Sequence, residues 1–121
     1  MRVRVEREGH MSDDKQVIAL RQLTLDGSAT VTVELLAPTP SDQSDDFRCG
    51  YRIDGLGASK VRYAYGVDSM QALLLAMQSI AAHLYTSEEA KTGRFQWLGM
   101  SNFGLPFADA IADLVPRAAD S

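Results

Sequence analysis

The sequence predicts an α+β fold, in which a four-stranded antiparallel β-meander packs on one long α-helix. Four segments before residue 66 have the alternation or the composition of strands with one buried face. Turn sequences separate them, and the next segment, from Asp68 to Tyr85, repeats its apolar residues at helical spacing. Because a single sheet cannot hide its own apolar face, we expect this helix to cover the sheet.

The first two strands form a predicted hairpin. Residues 16–25 are rich in Val, Ile and Leu, and the dipeptide Asp26-Gly27 that follows is a strong hairpin turn signal. The next segment, SATVTVELLA, alternates cleanly and is typical of a half-buried strand. The polar stretch 38–46 has no apolar anchor, so we expect a connecting loop there.

The third and fourth strands are predicted at FRCGYRID and KVRYAY, on either side of the glycine-rich turn DGLGAS. The alternation of each strand assigns one face to the core and the other to solvent. The residues predicted to face the core are Phe47, Cys49, Tyr51, Ile53, Val61, Tyr63 and Tyr65. The charged residues predicted to face outward are Arg48, Arg52, Lys60 and Arg62.

The predicted helix has a start signal and a wide apolar stripe. Asp68 is placed to act as the N-cap, with Gln71 at the spacing of a capping box. The residues of the stripe are Met70, Leu73, Leu74, Met77, Ile80, Ala81 and Leu84. Polar residues interrupt the segment, so a membrane span, which needs about 20 apolar residues, is not expected.

Downstream of Tyr85 the periodicity is lost and only short elements are expected. TSEEAKTG is compatible with one helical turn capped by Ser87, RFQWLGM offers a fifth, short strand, and ADAIADLV a short helix. Aromatic residues are costly to expose, so we expect those of this region, Trp97 among them, to cap one end of the core. The alternative is an interface anchor, a role in which Trp is enriched.

The chain has the length of one domain, which we place at residues 15–116. Residues 1–14 are expected to be a flexible extension, although the alternation of Val and Arg in Met1–Val5 also suits an edge strand. Residues 117–121 are expected to be a flexible tail. The single cysteine, Cys49, allows no intrachain disulfide and favours a cytoplasmic location. The net charge of −4 argues against a nucleic-acid partner.

No set of residues predicts catalysis, a cofactor or a metal site. The natural nucleophile is Cys49 and the candidate bases are His10, in the expected N-terminal extension, and His83. Nothing in the spacing brings Cys49 and His83 together with an orienting acid. Cys49 is better explained as a small buried thiol. Two histidines and one cysteine give no zinc-type cluster. We therefore predict a protein that is not an enzyme.

The predicted working surface is the outward face of the third and fourth strands. A protein partner with an acidic surface would meet a local positive patch there, made of Arg48, Arg52, Lys60 and Arg62. The simpler account is that exposed strands carry charged side chains for solubility. A rival prediction is a small-molecule site or weak enzyme, with a pocket between sheet and helix lined by Tyr51, Tyr63, Tyr65 and His83. A homodimer is a third.

Three segments, DSMQALLLAMQSIAAHLYTS, FQWLG and GLPF, resemble a family of short, uncharacterised bacterial proteins. That family couples a β-meander to a VDSxQALxLAxQ helix, and the resemblance covers Gln16 to Pro106. It implies the same fold and brings no activity. A looser likeness to small immunity proteins and antitoxins lies at the level of fold. The leading prediction is thus a non-enzymatic protein-interaction module of the bacterial cytosol, of immunity or antitoxin type.

Overall fold

The computed structural model describes residues 16–117, and it has an antiparallel sheet of six strands with one main helix. This agrees with the predicted α+β class. The strands are β1 (Val17–Leu25), β2 (Ala29–Leu36), β3 (Thr39–Pro40), β4 (Phe47–Asp54), β5 (Arg62–Gly66) and β6 (Phe95–Gln96). The helices are α1 (Ser69–Tyr85), α2 (Glu88–Lys91) and a 3₁₀ helix at Asp109–Leu114. The predicted N-terminal extension and C-terminal tail lie outside the described residues, apart from Arg117.

The predicted meander is present, because β1, β2, β4 and β5 each pair with the next. The order across the sheet is β5-β4-β2-β1-β6. The short strand predicted at RFQWLGM is β6, which pairs with the end of β1. The stretch 38–46 is not a loop throughout, because Thr39 and Pro40 form β3 and pair with the start of β4. A backbone hydrogen bond of 2.8 Å from Ser41 to Asp46 closes the turn between them.

The start of α1 follows the predicted capping box. The Asp68 carboxylate accepts a hydrogen bond from the Gln71 N–H at 2.8 Å, and the Gln71 side chain accepts one from the Val67 N–H at 2.7 Å. These contacts satisfy amides that have no partner within the helix. Within residues 16–117, no helix has the length and apolar character needed to cross a membrane.

Helix α1 packs on the sheet through alanines rather than through the centre of the predicted stripe. Ala72 and Ala76 are fully buried, and a Cβ added to Gly66 of β5 would collide with the backbone nitrogen of Ala72. Small side chains bring the helix close to the sheet, and this turns two of the large predicted stripe residues outward. Met70 is 76% exposed and Leu74 is also exposed, so their predicted burial is wrong.

An aromatic cluster closes the far end of the core, as predicted for part of this region, whereas Trp97 is only half-buried and Phe107 is exposed. The rings of Tyr85 and Phe103 stack with centroids 4.7 Å apart, and Phe95 meets Phe103 edge-on at 6.0 Å. The Phe103 N–H donates to the Tyr85 hydroxyl at 2.7 Å. All three rings are buried, so the segment after β6 is part of the core.

Candidate functional site

Strand β5 presents the opposite faces from those predicted. In its pairing with β4, Ala64 lies opposite Cys49 and Tyr63 lies opposite Gly50. Residues opposite each other project to the same side of a sheet, so Ala64 lies beside the buried Cys49, and Tyr63 lies on the face away from α1. Because the period of a strand is two, choosing the wrong phase exchanges every side chain between the two faces.

This correction divides the predicted positive patch. Arg48 and Arg52 of β4 project from the outer face, as predicted. Arg62 of β5 projects toward the helix, where its charge helps to lower the pKa of His83. Lys60 is exposed but precedes β5 and lies outside the sheet. The prediction that all four cations share one sheet face is therefore wrong.

Arg52 is paired within the sheet. Its guanidinium donates to one carboxylate oxygen of Glu34, on the neighbouring strand β2, at 2.6 and 3.0 Å. The two residues are opposite each other in the β2–β4 register, and both side chains are partly buried. The pair neutralises the charge of Arg52, so Arg52 adds little net positive charge to the outer face.

Arg48 is the outer-face cation without an ion-pair partner within residues 16–117. Its guanidinium lies over the ring of Tyr63, with 4.4 Å between the guanidinium carbon and the ring centroid. Its Nε is buried and has no hydrogen-bond partner among the described residues. Tyr65 lies opposite Arg48 in the register, and the exposed fractions of Tyr63 and Tyr65 are 39% and 49%. We call Arg48, Tyr63 and Tyr65 the Arg48 face.

Gly50 gives the Arg48 face its support. A Cβ at Gly50 would stand 2.9 Å from a methyl carbon of Leu36 and 3.2 Å from the Tyr63 ring and from Val61. These side chains therefore pack directly over the glycine backbone on the outer side of the sheet. Leu36 is buried there although α1 covers the other face. The sequence signal for this arrangement is the lone glycine inside the FRCGYRID strand, which marks a close approach.

The predicted pocket between sheet and helix is not formed by its four residues. Tyr51 faces α1 and is buried, and this burial raises its pKa. His83 is half-buried, and its pKa is lowered by burial first and by the charge of Arg62 second. Tyr63 and Tyr65 lie on the opposite face of the sheet. The sheet therefore separates Tyr51 and His83 from the other two tyrosines. The prediction of one pocket lined by all four residues is wrong.

Cys49 is a structural thiol, as the sequence indicates. It is fully buried, and its Sγ–H donates to the carbonyl of Leu36 at 3.2 Å. Burial raises its pKa to about 11, so it stays protonated at neutral pH. Within the part of the chain that the structure describes, no three His, Cys, Asp or Glu residues are grouped as metal ligands would be.

At least two concavities lie elsewhere on the described chain. The larger, of about 300 Å³, lies between α2 and the 3₁₀ helix. Its lining residues include Tyr85, Lys91, Phe95, Ser101 and Asp113. The smaller is an apolar groove of about 100 Å³ between β1, α1 and the C-terminal segment. None of the four predicted pocket residues lines either one.

The fold and this surface define a small α+β domain whose open sheet face carries a cation stacked on the exposed Tyr63. The chain belongs to the family described as Domain of unknown function (DUF6968), whose model matches residues 19–107. Neither the curated proteins nor the solved structures compared with the chain include a match. The predicted membership of an uncharacterised domain family is confirmed, and its bacterial setting stays a prediction.

Proposed function

We propose that the domain is a non-enzymatic protein-interaction module that binds its partner through the Arg48 face. The observation that supports this is the stacking of Arg48 on Tyr63, next to the exposed Tyr65, on a face that α1 does not cover. Tyr and Arg are enriched at the energetic centres of protein interfaces. Their rings and planar guanidinium give a large contact area for little loss of side-chain freedom.

The chemistry of the Arg48 face favours an acidic partner. Arg48 carries a charge that no carboxylate within residues 16–117 neutralises. The stacked Tyr63 ring restrains the guanidinium, which reduces the entropy lost when a carboxylate binds it. A partner Asp or Glu side chain that accepts from Arg48, with an apolar neighbour against Tyr65, fits this face best. The set of cations offered is smaller than the four predicted, so the salt dependence of binding should be modest.

The proposal includes a cytoplasmic location and an immunity or antitoxin type of role in a bacterium. Support for the location is the single, buried, reduced Cys49. Support for the role is the likeness of the fold to small α+β proteins that act by blocking a partner. The absence of a catalytic constellation in the sequence favours binding over turnover.

The experiment compares three full-length baits in extracts of the native host. Wild type, Arg48→Ala and Lys60→Ala are immobilised. The captured proteins are then compared by quantitative mass spectrometry with stable-isotope labels. Each variant removes one positive charge, but only Arg48 belongs to the Arg48 face. We expect a partner that Lys60→Ala retains and Arg48→Ala loses by about tenfold, which corresponds to about 1.4 kcal/mol. A partner held equally by all three baits would contradict the assignment of this face.

A second candidate is a small-molecule site in the larger concavity. Its volume of about 300 Å³ is at the lower end of the range for ligand pockets, and it combines the rings of Tyr85 and Phe95 with the polar Lys91, Ser101 and Asp113. A fragment screen by amide NMR tests it. Saturable shifts confined to residues around Ala90 and Leu114 are expected for a ligand, and a screen without such shifts removes the candidate.

A further inference from the structure

Strand β1 has an outer edge that the described chain leaves open. On that side β6 pairs only with Thr24 and Leu25, so within residues 16–117 the edge from Val17 to Leu23 has no neighbouring strand. The Asp26 N–H donates toward β6, to the Arg94 carbonyl at 2.9 Å. Alternate residues of an antiparallel strand direct their N–H and C=O groups to the same side. The backbone groups of Leu20 and Gln22 therefore point to the open edge.

Most side chains along this edge are apolar. Leu20 is 60% exposed, and Val17 and Ile18 are exposed as well. The only charged residue of β1, Arg21, projects inward, where it donates to the carbonyls of Phe103 and Gly104 at 2.8 and 3.1 Å. Edge strands usually carry charges, prolines or strong bulges that discourage pairing. Here the one irregularity lies between Val17 and Ala19, at the start of the strand, and the rest of the edge is regular.

We propose that β1 pairs in an antiparallel sense with β1 of a second copy of this chain, across a two-fold axis at Leu20. In this register the Leu20 backbone groups exchange hydrogen bonds with those of Leu20 in the second copy, and Ile18 faces Gln22. The two exposed leucines then cover each other on the outer face. The interface is isologous, as expected for a dimer with a two-fold axis.

The charges and the surface next to β1 favour a second copy over a charged strand from another protein. On the inner face this register sets Arg21 opposite Ala19, so the two arginines do not face each other, and each stays held by its own C-terminal segment. The apolar groove of about 100 Å³ begins at Ala19 and Leu20 and continues to Met77 and Leu105. Arg21 also lines this groove, but its guanidinium is already held by the carbonyls of Phe103 and Gly104. A charged neighbour would therefore be desolvated there with little compensation, whereas the uncharged residues around Leu20 of a second β1 would not.

The size of the interface sets the expected affinity. Seven residues of strand, from Val17 to Leu23, span about 23 Å at roughly 3.3 Å per residue. A contact of that length belongs with the smaller interfaces, those that bury less than about 1,200 Å² in total. We therefore expect a dissociation constant in the micromolar range. The dimer joins two sheets into one and leaves both Arg48 faces free, since these lie on β4 and β5. Dimerisation and partner binding are thus separable.

The experiment measures the molar mass of the full chain by light scattering between about 1 and 200 μM. We expect the mass to rise with concentration from 13.2 kDa toward twice that value. Leu20→Lys places a charge at the two-fold axis and should hold the mass at the monomer value, with an unchanged circular dichroism spectrum. The matched control is Val67→Lys, at an exposed apolar position beyond the far strand β5, and it should dimerise as wild type does. Should Leu20→Lys misfold, Ile18→Lys provides the same test.

Amide exchange gives a second measurement on wild type. The Leu20 and Gln22 amides should exchange more slowly as concentration rises, while exposed amides elsewhere should not change. A wild-type mass that stays at 13.2 kDa at 200 μM overturns the proposal, as does a dimer that Leu20→Lys leaves intact. If wild type is monomeric and the full-length double variant Val3→Lys/Val5→Lys dimerises, the segment before Gln16 is the occupant of the edge instead.

Discussion

The guanidinium of Arg21 lies over the indole of Trp97, with 4.0 Å between its carbon and the ring centroid. The same guanidinium donates to the carbonyls of Phe103 and Gly104. One side chain of the first strand thus holds three residues of the last segment against the sheet. Because these contacts join residues far apart in sequence, we expect Arg21 to contribute more to the free energy of unfolding than other partly exposed side chains do.

Arg21→Met should therefore lower the free energy of unfolding by about 2–3 kcal/mol. The variant keeps an apolar stem but loses two charge-assisted hydrogen bonds and the cation–π contact. Urea denaturation followed by Trp97 fluorescence measures the change. Arg94→Met is the control, because the ion pair of Arg94 with Asp26 lies in water and should contribute far less. Equal losses in the two variants would contradict the clamping role of Arg21.

Gly66→Ala should destabilise the domain by about 1–3 kcal/mol, at the upper end of this range. The added Cβ meets the backbone of Gln71 and Ala72, which can move only if the whole helix shifts. Thermal unfolding of both proteins measures the loss.

Gly57→Ala is the matched control for this substitution. Gly57 has a φ of +67° and open space around it, so the only expected loss of stability comes from placing alanine in a left-handed backbone conformation. A smaller loss for Gly66→Ala than for Gly57→Ala would show that the contact between β5 and α1 is not close.

Leu98→Asn should stabilise the domain by about 0.5–1 kcal/mol. Leu98 has a φ of 53° and precedes Gly99, with a φ of 79°, in a two-residue turn for which Asn-Gly is the preferred sequence. Leu98 is also 78% exposed, so little packing is lost. Leu98→Lys removes the same apolar surface without the tolerance of Asn for this backbone, and it should leave the stability near that of wild type. A destabilised Leu98→Asn would indicate an apolar contact made by this side chain.

Stability should fall as the pH drops through about 6.5, and His83 should be one cause. Burial and the charge of Arg62 lower the pKa of His83 in the folded state, so in this range the unfolded chain binds more protons than the folded chain. The contribution of His83 to the free energy of unfolding is fully present above its unfolded pKa. It is lost as the pH falls from there through the lower, folded pKa. Unfolding free energies between about pH 5 and 8 should show a smaller slope for His83→Gln than for wild type. Identical slopes would exclude His83 as a source.

Cys49 should resist alkylation by iodoacetamide at pH 8 in the folded protein. Its pKa of about 11 keeps the thiolate fraction small, and the sulfur is fully buried. In denaturing urea the same thiol should react at the rate of a free cysteine. Mass spectrometry of samples taken over time gives both rates, and rapid labelling of the folded chain would show that β4 opens readily.

Apart from the short β3, the strands, the main helix and the aromatic cap follow from alternation, turn signals and helical spacing, which are local properties. The choice of which face of β5 is buried does not follow from local sequence. One face has Val61, Tyr63 and Tyr65, the other has Ala64, and the composition of either is acceptable for burial. Packing decides the phase, since α1 approaches so closely that only a small residue fits under it. The same approach explains why Ala72 and not Met70 lies at the centre of the helix contact.

The candidate site was predictable in part for a related reason. Its arginine on β4 follows from the clear alternation of FRCGYRID, whereas its tyrosines depend on the phase of β5. The pairing of Arg52 with Glu34 needs the register between β2 and β4, which no local pattern contains. The hydrogen bond of Arg21 is made to Phe103, more than eighty residues away in sequence, so no local pattern predicts it.

Because small residues lie between β5 and α1, alternate residues of this one strand have different roles. Ala64 and Gly66 allow the close approach of the helix because they have almost no side-chain atoms, and the intervening Tyr65 projects to the opposite face, where it is 49% exposed. Substitutions at Tyr65 should therefore alter the exposed surface without changing the contact between β5 and α1. Under the proposed function, such substitutions would change the partner that is bound without changing the fold that presents the surface.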